Sequence, residues 1–370
     1  MRAALQGGSP RSAVAAGLVF AAWCLVLLGV ARLPGRGWDF RVFYTAASLP
    51  FSDLYQLHQQ GLFQRQLMQP WGDWAPSLFA RPPFYALLLK PLAALSFPTA
   101  LHVWLLVLCA VTLACAHLLA SLYGGGWRVF LALFGFYPVS LALRLGQDVP
   151  LVLAALLLAL RFRRRGSMWP AAICLALAFQ KFHLLFLVPV ALGLHRERAL
   201  LVRFGACLAA LALASVALVG PSGVRQYIEL MQSDLMDTWF YDAWNLRATL
   251  WRLGGDRVVL WACMAALAAW FVWIQSRLDL ETAFWLSVAF GLVITWHSYP
   301  YDYLLALPLL HVLWTRHGLV SAPLLLLGSL WPHFFLREAM SWAVAPVLIL
   351  LSLELWCRSR GRAIPSEQVR

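Results

Sequence analysis

Long apolar runs separated by short polar and aromatic stretches follow one another along the whole chain. Most are about 17 to 25 residues long, which is the length an α-helix needs to cross a bilayer. Three clear examples are Ser12 to Leu33, Thr99 to Leu122 and Phe204 to Gly220. The pattern predicts an all-α integral membrane protein. It predicts about 12 transmembrane helices that form a single unit over residues 1–370.

Two longer polar stretches are predicted to lie outside the membrane, on one side of it. The first, residues 34–98, contains amphipathic segments at Phe40 to Leu49 and Asp53 to Gln69. The second covers residues 221–258. Between Pro82-Pro83 and Pro98, the apolar run Phe84 to Phe97 carries Lys90 in its middle and is too short for a span. We predict that this run is a re-entrant or interfacial helix of the first outer loop.

The apolar segment Trp169 to Leu194 holds Gln180-Lys181-Phe182-His183 at its centre. Its length fits either one tilted helix or two short helices that meet outside the membrane. Only two short helices place the basic stretch at residues 195–198 on the inner side, where positive residues are expected. We therefore predict two short helices, with Lys181 near their outer junction.

Composition agrees with a membrane protein, since 62% of the residues are hydrophobic and 12% are charged. The net charge of +13 comes from basic residues that punctuate apolar runs, which is typical of topology signals rather than of a nucleic-acid-binding surface. The arginines at 161–165 and 358–362 mark the inner side. Both termini are then cytoplasmic, and most acidic residues lie outside. We expect any active site at the outer face.

Several outer residues have both a structural and a chemical interpretation. Asp39 can cap the helix that Phe40 to Ser48 would form, or act as a base. Asp148 can cap the next helix, or pair with Arg144, which can equally bind a phosphate. Lys181 can extend towards the interface, or meet an anionic lipid phosphate. The same ambiguity between lipid contact and function applies to the remaining candidates, Arg81, Arg247 and His297.

Together these residues form a one-sided set of acids, cations and a histidine. Such a set suits transfer of a group from a lipid phosphate to a hydroxyl, because a carboxylate accepts the proton and cations stabilise the departing phosphate. No metal-binding motif or phosphate loop competes with this hypothesis. Two alternatives stay open. They are a lipid-linked sugar flippase or similar transporter, and an enzyme that transfers a phosphate headgroup.

The order of several motifs resembles that of the polyprenyl-phosphate-dependent GT-C glycosyltransferases. Within that superfamily it is most similar to glycosyltransferase family 87, bacterial mannosyltransferases that use polyprenyl-phosphate mannose. The motifs are Trp38-Asp39-Phe40-Arg41-Val42-Phe43-Tyr44, Leu54-Tyr55, Pro82-Pro83-Phe84-Tyr85, Leu145-Gly146-Gln147, Lys181, Asn245-Leu246 and His297-Ser298-Tyr299.

The resemblance implies a GT-C type bundle with juxtamembrane helices in the first outer loop and an active site facing the periplasm of a bacterial inner membrane. It implies inverting transfer of a sugar, most simply mannose, to a lipid or glycan hydroxyl, without a metal or other cofactor and with no nucleic-acid partner. Asp39 is the implied general base. The resemblance also implies that His297 lies near the donor phosphate. From the one-sided set of residues, we predict that Lys181, Arg247, Arg81, His297 and Arg144 bind the donor phosphate. We predict that Asp148, Gln147, Tyr44 and Asn245 position the acceptor or the sugar.

Overall fold

A computed structural model describes residues 39–69, 77–126, 129–130, 133, 136–233 and 243–317. All regular structure in these ranges is helical, and no strand occurs within them. The predicted all-α class is therefore confirmed for this part of the chain. The apolar run Ser12 to Leu33, both termini and the arginines at 358–362 lie outside the described residues.

The α-helices of the described residues are numbered here in chain order. They are α1 (Phe40–Ser48), α2 (Leu57–Met68), α3 (Pro83–Leu89), α4 (Phe97–Tyr123), α5 (Tyr137–Leu145), α6 (Val149–Arg164), α7 (Met168–Ala178), α8 (Phe182–Leu185), α9 (Leu187–Leu194), α10 (Arg198–Gln232), α11 (Leu246–Arg252), α12 (Arg257–Gln275), α13 (Leu280–Ile294) and α14 (Leu307–His317). Four segments have the length and apolar composition needed to cross a membrane: α4, residues 168–185, α10 and α12. The second of these includes the turn at Lys181 described below. The protein is therefore of the membrane type, and a total of about twelve spans stays a prediction.

The first outer loop forms short helices that pack around α1 and α4. Helix α3 begins at Pro83, whose fixed φ suits a first helical turn, and is only seven residues long. It continues into a 3₁₀ helix, Lys90–Ala94, and α4 then starts at Phe97. The Lys90 ammonium donates to the Leu49 carbonyl just after α1. A helix this short cannot cross a bilayer, in agreement with the predicted interfacial segment.

Helix α6 connects two ends of the helical bundle that differ in charge. Its 16 residues correspond to a length of about 24 Å. At its C-terminal end Arg164 pairs with Glu281 at 2.5 Å, and Arg316 reaches the same carboxylate at 2.7 Å. We call this the basic end. Asp148 precedes α6 at the opposite end, which we call the site end.

Residues 168–194 cross the length of α6 twice. Helix α7 leads from the basic end to a 3₁₀ turn, Phe179–Lys181, where the Lys181 ammonium lies 3.5 Å from Asp148. Helices α8 and α9 then return, because Glu197, directly before α10, pairs with Arg163 at 2.6 Å. The chain therefore forms an up-and-down pair of short helical segments with Lys181 at its turning point, as the sequence predicts.

Helix α10 is broken at Gly220, which has φ 68° and ψ 178° and is followed by Pro221. The predicted apolar run Phe204 to Gly220 ends at this break. The helix resumes beyond it, and the Tyr227 ring packs against Tyr55 with a centroid distance of 4.8 Å. The second outer loop thus contacts the first at the site end.

Candidate active site

Asp39 lies directly before α1 and does not cap it. Its side chain makes no capping hydrogen bond, so the capping interpretation of this residue is wrong. Instead the Gln147 amide nitrogen donates to the Asp39 carboxylate at 2.8 Å. The Asp39 backbone N–H donates to the Leu145 carbonyl at 3.1 Å. The carboxylate is held by the turn between α5 and α6, and the residue remains half-buried rather than enclosed.

The turn that holds Asp39 is a helix C-cap followed at once by a helix start. Gly146 adopts the left-handed conformation with φ 73°, and the backbone N–H of Gln147 donates to the Ala142 carbonyl at 2.7 Å. These are features of the Schellman motif that ends many helices. Pro150 then occupies the first turn of α6. The sequence therefore presents Gln147 and Asp148 at a tight junction between two helices.

Gly146 is also the point of closest approach between this turn and α1. A Cβ atom at Gly146 would lie 2.8 Å from the Phe40 Cβ. On the other side of the turn, the Trp104 indole N–H donates to the Gly146 carbonyl at 2.8 Å, and its ring stacks on Phe40 at 5.9 Å. Because only glycine fits both the backbone angle and the space, this position fixes the distance between Asp39 and Gln147.

Asp148 is completely buried and occupies the N-cap position of α6, but it makes no capping hydrogen bond. Its carboxylate instead faces two cations. The Arg81 guanidinium lies at 3.4 Å, and the Lys181 ammonium at 3.5 Å. The capping interpretation of Asp148 is therefore also wrong. Its predicted partner Arg144 is exposed in the last turn of α5 and forms no ion pair with a described residue.

Asp302 completes the buried cluster, and sequence reasoning did not select it as a site residue. The Lys181 ammonium donates to its Oδ1 at 2.6 Å, while its Oδ2 accepts from the Tyr299 backbone N–H at 2.9 Å. This is a capping box around the 3₁₀ helix Pro300–Ala306. The sequence signal for this capping box is an acid, Asp302, three residues after the N-cap position Tyr299. Lys181 is thus bracketed by two carboxylates and is only 1% exposed.

Asp39 and Asp148 differ in the direction in which their surroundings shift the pKa. Burial raises the pKa of Asp39 to about 6, although the Gln147 hydrogen bond and the positive charges of Lys181 and Arg41 oppose the shift. For Asp148, burial also favours the neutral form, but Arg81 and Lys181 outweigh it and hold the pKa below its usual value. Asp39 can therefore exchange a proton near neutral pH, whereas Asp148 stays ionised.

The His297 ring packs against two other rings beside the charged cluster. Its ring lies 4.8 Å from that of His183 and 6.0 Å from that of Tyr299. Tyr299 in turn stacks near Tyr301, and the Lys181 ammonium lies 5.3 Å above the Tyr301 ring. The structure therefore brings the late histidine turn to the same end of the bundle as Lys181.

Arg247 and Asn245 belong to the segment that supports this turn. The Arg247 guanidinium lies 3.6 Å from the centre of the Trp296 ring, and the residue is half-buried. The Asn245 side chain caps α11 by accepting from the Ala248 N–H at 2.9 Å, and it donates to the Trp296 carbonyl at 3.0 Å. Asn245 thus has a structural role in orienting the arginine and the histidine turn.

Tyr44 lies on α1, and its hydroxyl donates to the Leu95 carbonyl at 2.8 Å. That bond joins α1 to the end of the 3₁₀ helix in the first outer loop. Tyr44 therefore anchors the juxtamembrane helices. Among the described residues, no group of three or more His, Cys, Asp or Glu side chains is arranged to hold a metal ion.

Comparison with known proteins identifies the class. The sequence model of glycosyltransferase family 87 matches residues 79–300, more than half of the chain. No curated protein matches the chain, and no solved structure does. The chain belongs to glycosyltransferase family 87 and is a glycosyltransferase of membrane-helical type. The match includes Arg81, Gln147, Asp148, Lys181 and His297, whereas Asp39 lies before it.

Proposed function

We propose that this protein transfers a sugar, most simply mannose, from a polyprenyl-phosphate donor to a hydroxyl of a lipid or glycan acceptor. The observation that carries the proposal is the Asp39 carboxylate, half-buried, held by Gln147 and with its pKa raised to about 6. A group whose pKa is close to the working pH is suited to general base catalysis.

The proposed reaction is a direct displacement with inversion at the anomeric carbon. Asp39 removes the proton of the acceptor hydroxyl as that oxygen forms a bond to the anomeric carbon. The bond between the anomeric carbon and the phosphate oxygen breaks, and its electron pair stays on polyprenyl phosphate. The proposal assigns the proton transfer to Asp39 and includes no metal or other cofactor.

The cations of the site end would stabilise the charge that builds on the phosphate. Arg81, Arg247 and His297 are half-buried, which leaves them accessible to a lipid phosphate at the surface of the bundle. Lys181 is enclosed between Asp148 and Asp302, so we propose that it acts through its field and by ordering these acids. The exposed position of Arg144 is more suitable for a headgroup contact at the rim.

The orientation follows from the charge difference between the two ends of the bundle. Arginines accumulate at the basic end, about one α6 length from Asp39. Because positive residues favour the cytoplasmic side, we propose that the site end faces the periplasm of a bacterial inner membrane, with both termini cytoplasmic. The polyprenyl chain of the donor would then lie in the outer leaflet beside the juxtamembrane helices.

The decisive experiment compares transfer by the parent, Asp39→Asn and Asp53→Asn. Asp53 is the matched control, since its carboxylate accepts from the Gln56 amide in a turn of the same outer loop. Purified protein is given polyprenyl-phosphate mannose and a set of lipid hydroxyl acceptors, and release of polyprenyl phosphate is measured. We expect a loss of about a hundredfold or more for Asp39→Asn and near-parental activity for Asp53→Asn. Activity of Asp39→Asn within a few-fold of the parent would exclude it as the base.

A liposome version of this assay separates the enzyme from a flippase. Labelled donor is placed in one leaflet, and its movement is followed with and without acceptor. The proposed enzyme releases polyprenyl phosphate only when acceptor is present. Movement of intact donor without acceptor, unchanged in Asp39→Asn, would instead support transport.

A further inference from the structure

A surface cavity of 420 Å³ lies between α7 and α10 at the basic end, remote from the candidate active site. It is lined by Trp169, Arg198, Ala199, Val202, Arg203 and Ala206. Both helices begin there, α7 at Met168 and α10 at Arg198. The surface of the cavity itself is almost entirely apolar. The two arginines border it beside the first turns of both helices, where the positive end of each helix dipole favours an anion.

Arg203 is held in position for such an anion. Its guanidinium lies 5.7 Å from the centre of the Trp169 ring, and its Nη1 donates to the Ala199 carbonyl at 2.9 Å. Arg198, five residues earlier, is exposed. The nearby acid Glu197 is already paired with Arg163 at 2.6 Å, so its charge is compensated. Charge at the cavity is thus positive.

From the cavity towards the site end, both helices carry exposed apolar side chains. On α7, Trp169 is followed at four-residue intervals by Ile173 and Leu177, and the exposed fractions are 54%, 49% and 37%. On α10, Val202 is 73% exposed and Leu213 is 71% exposed. Residues at four-residue intervals share one face of a helix. A hydrocarbon chain can lie along such a surface.

We propose that this cavity is a binding site for an anionic phospholipid of the surrounding membrane. Its phosphate would lie between Arg198 and Arg203, and its acyl chains along the exposed apolar faces of α7 and α10. A basic pocket between transmembrane helices is the kind of surface that recognises anionic headgroups. A soluble phosphate would use only the two arginines, whereas a lipid uses both parts of the surface. The site is separate from transfer and does not depend on the proposed donor.

The test measures lipid binding to detergent-purified full-length protein. Phosphatidylglycerol and phosphatidylcholine with identical acyl chains are titrated, and retained lipid is counted by native mass spectrometry. The site variant is Arg198→Gln combined with Arg203→Gln. The matched control is Arg277→Gln, because Arg277 also stacks on a tryptophan at the basic end, 4.5 Å from the Trp273 ring, but does not line the cavity.

We expect the parent and Arg277→Gln to retain phosphatidylglycerol in preference to phosphatidylcholine. The double variant should bind phosphatidylglycerol about tenfold more weakly or worse, with unchanged transferase activity. Equal affinity in the double variant would overturn the proposal, as would equal retention of the two lipids by the parent. Competition by glycerol phosphate at the concentration of the lipid would show a simple phosphate site and would overturn the lipid assignment.

Discussion

Replacing Asp39 by asparagine is expected to stabilise the protein at alkaline pH while it abolishes activity. The ionised carboxylate is held in surroundings that favour its neutral form, because burial raises its pKa from 3.8 to about 6. Asparagine has nearly the same shape, its oxygen can still accept from Gln147, and it cannot ionise. The substitution therefore removes the unfavourable charge and leaves the packing in place.

The size of the effect follows from the linkage between protonation and folding. A difference of about two pKa units corresponds to about 3 kcal/mol, at 1.36 kcal/mol for each unit. Because the folded-state pKa is the higher one, the folded protein holds the proton more tightly than the unfolded chain. The cost of ionisation is absent well below pH 4, grows as pH rises, and is complete above about pH 6. Solvent reaches this half-buried residue, so 3 kcal/mol is an upper limit.

The assay is thermal unfolding of the parent and Asp39→Asn in one detergent at pH 5 and pH 8. An upper limit of about 3 kcal/mol corresponds to a gain of about 4 °C at pH 8 for a chain of this length, and to about half of that at pH 5. Asp53→Asn serves as the control and should show no pH-dependent gain. The reasoning is refuted if Asp39→Asn is less stable than the parent at pH 8, or if its gain does not change with pH.

Three further substitutions test other parts of the site. Gln147→Leu removes a hydrogen bond that favours the charged base, so the acidic limb of the pH–rate profile should move up by about one pH unit; an unmoved limb would contradict this role. Lys181→Met should lower the free energy of unfolding by about 3–5 kcal/mol in denaturant titrations, and adding Asp302→Asn should restore part of it; additive losses would show that the pair is not coupled. Gly146→Ala should reduce both transfer and thermal stability, because its Cβ would lie 2.8 Å from the Phe40 Cβ of α1. Gly166→Ala is the control: Gly166 has the same φ of 73° but open space around it, so this variant should lose stability only. Equal effects of the two substitutions on transfer would exclude the steric argument.

The sequence predicts the helical class and the first outer loop well, because these depend on local signals. The length of an apolar run predicts a helix at that place in the chain. The prolines at the start of α3 and the glycine between α5 and α6 mark helix ends within a few residues of their own positions. The charge pattern predicts the return of the chain at Lys181, since only a return places the following arginines with the other basic residues. The number of spans depends on segments outside the described residues.

The pairing of charges was not predictable in the same way. Lys181 and Asp302 are 121 positions apart, and no local pattern indicates that their side chains meet. Both Asp39 and Asp148 stand where helix caps are common, and only the tertiary contacts show that neither caps a helix. Tertiary contacts also separate two of the predicted arginines: Arg81 pairs with Asp148, whereas Arg144 is exposed.

A cluster of three acids, Asp39, Asp148 and Asp302, and three cations, Arg41, Arg81 and Lys181, lies at the site end, where their charges interact. Its formal charge is therefore zero before a donor arrives. In the proposed reaction, Asp39 gains a proton as the phosphate gains a negative charge, so the total is unchanged during transfer. Once Asp39 returns that proton to water, an additional negative charge remains beside the doubly charged polyprenyl phosphate. Repulsion between the ionised Asp39 carboxylate and polyprenyl phosphate would then favour release of the product.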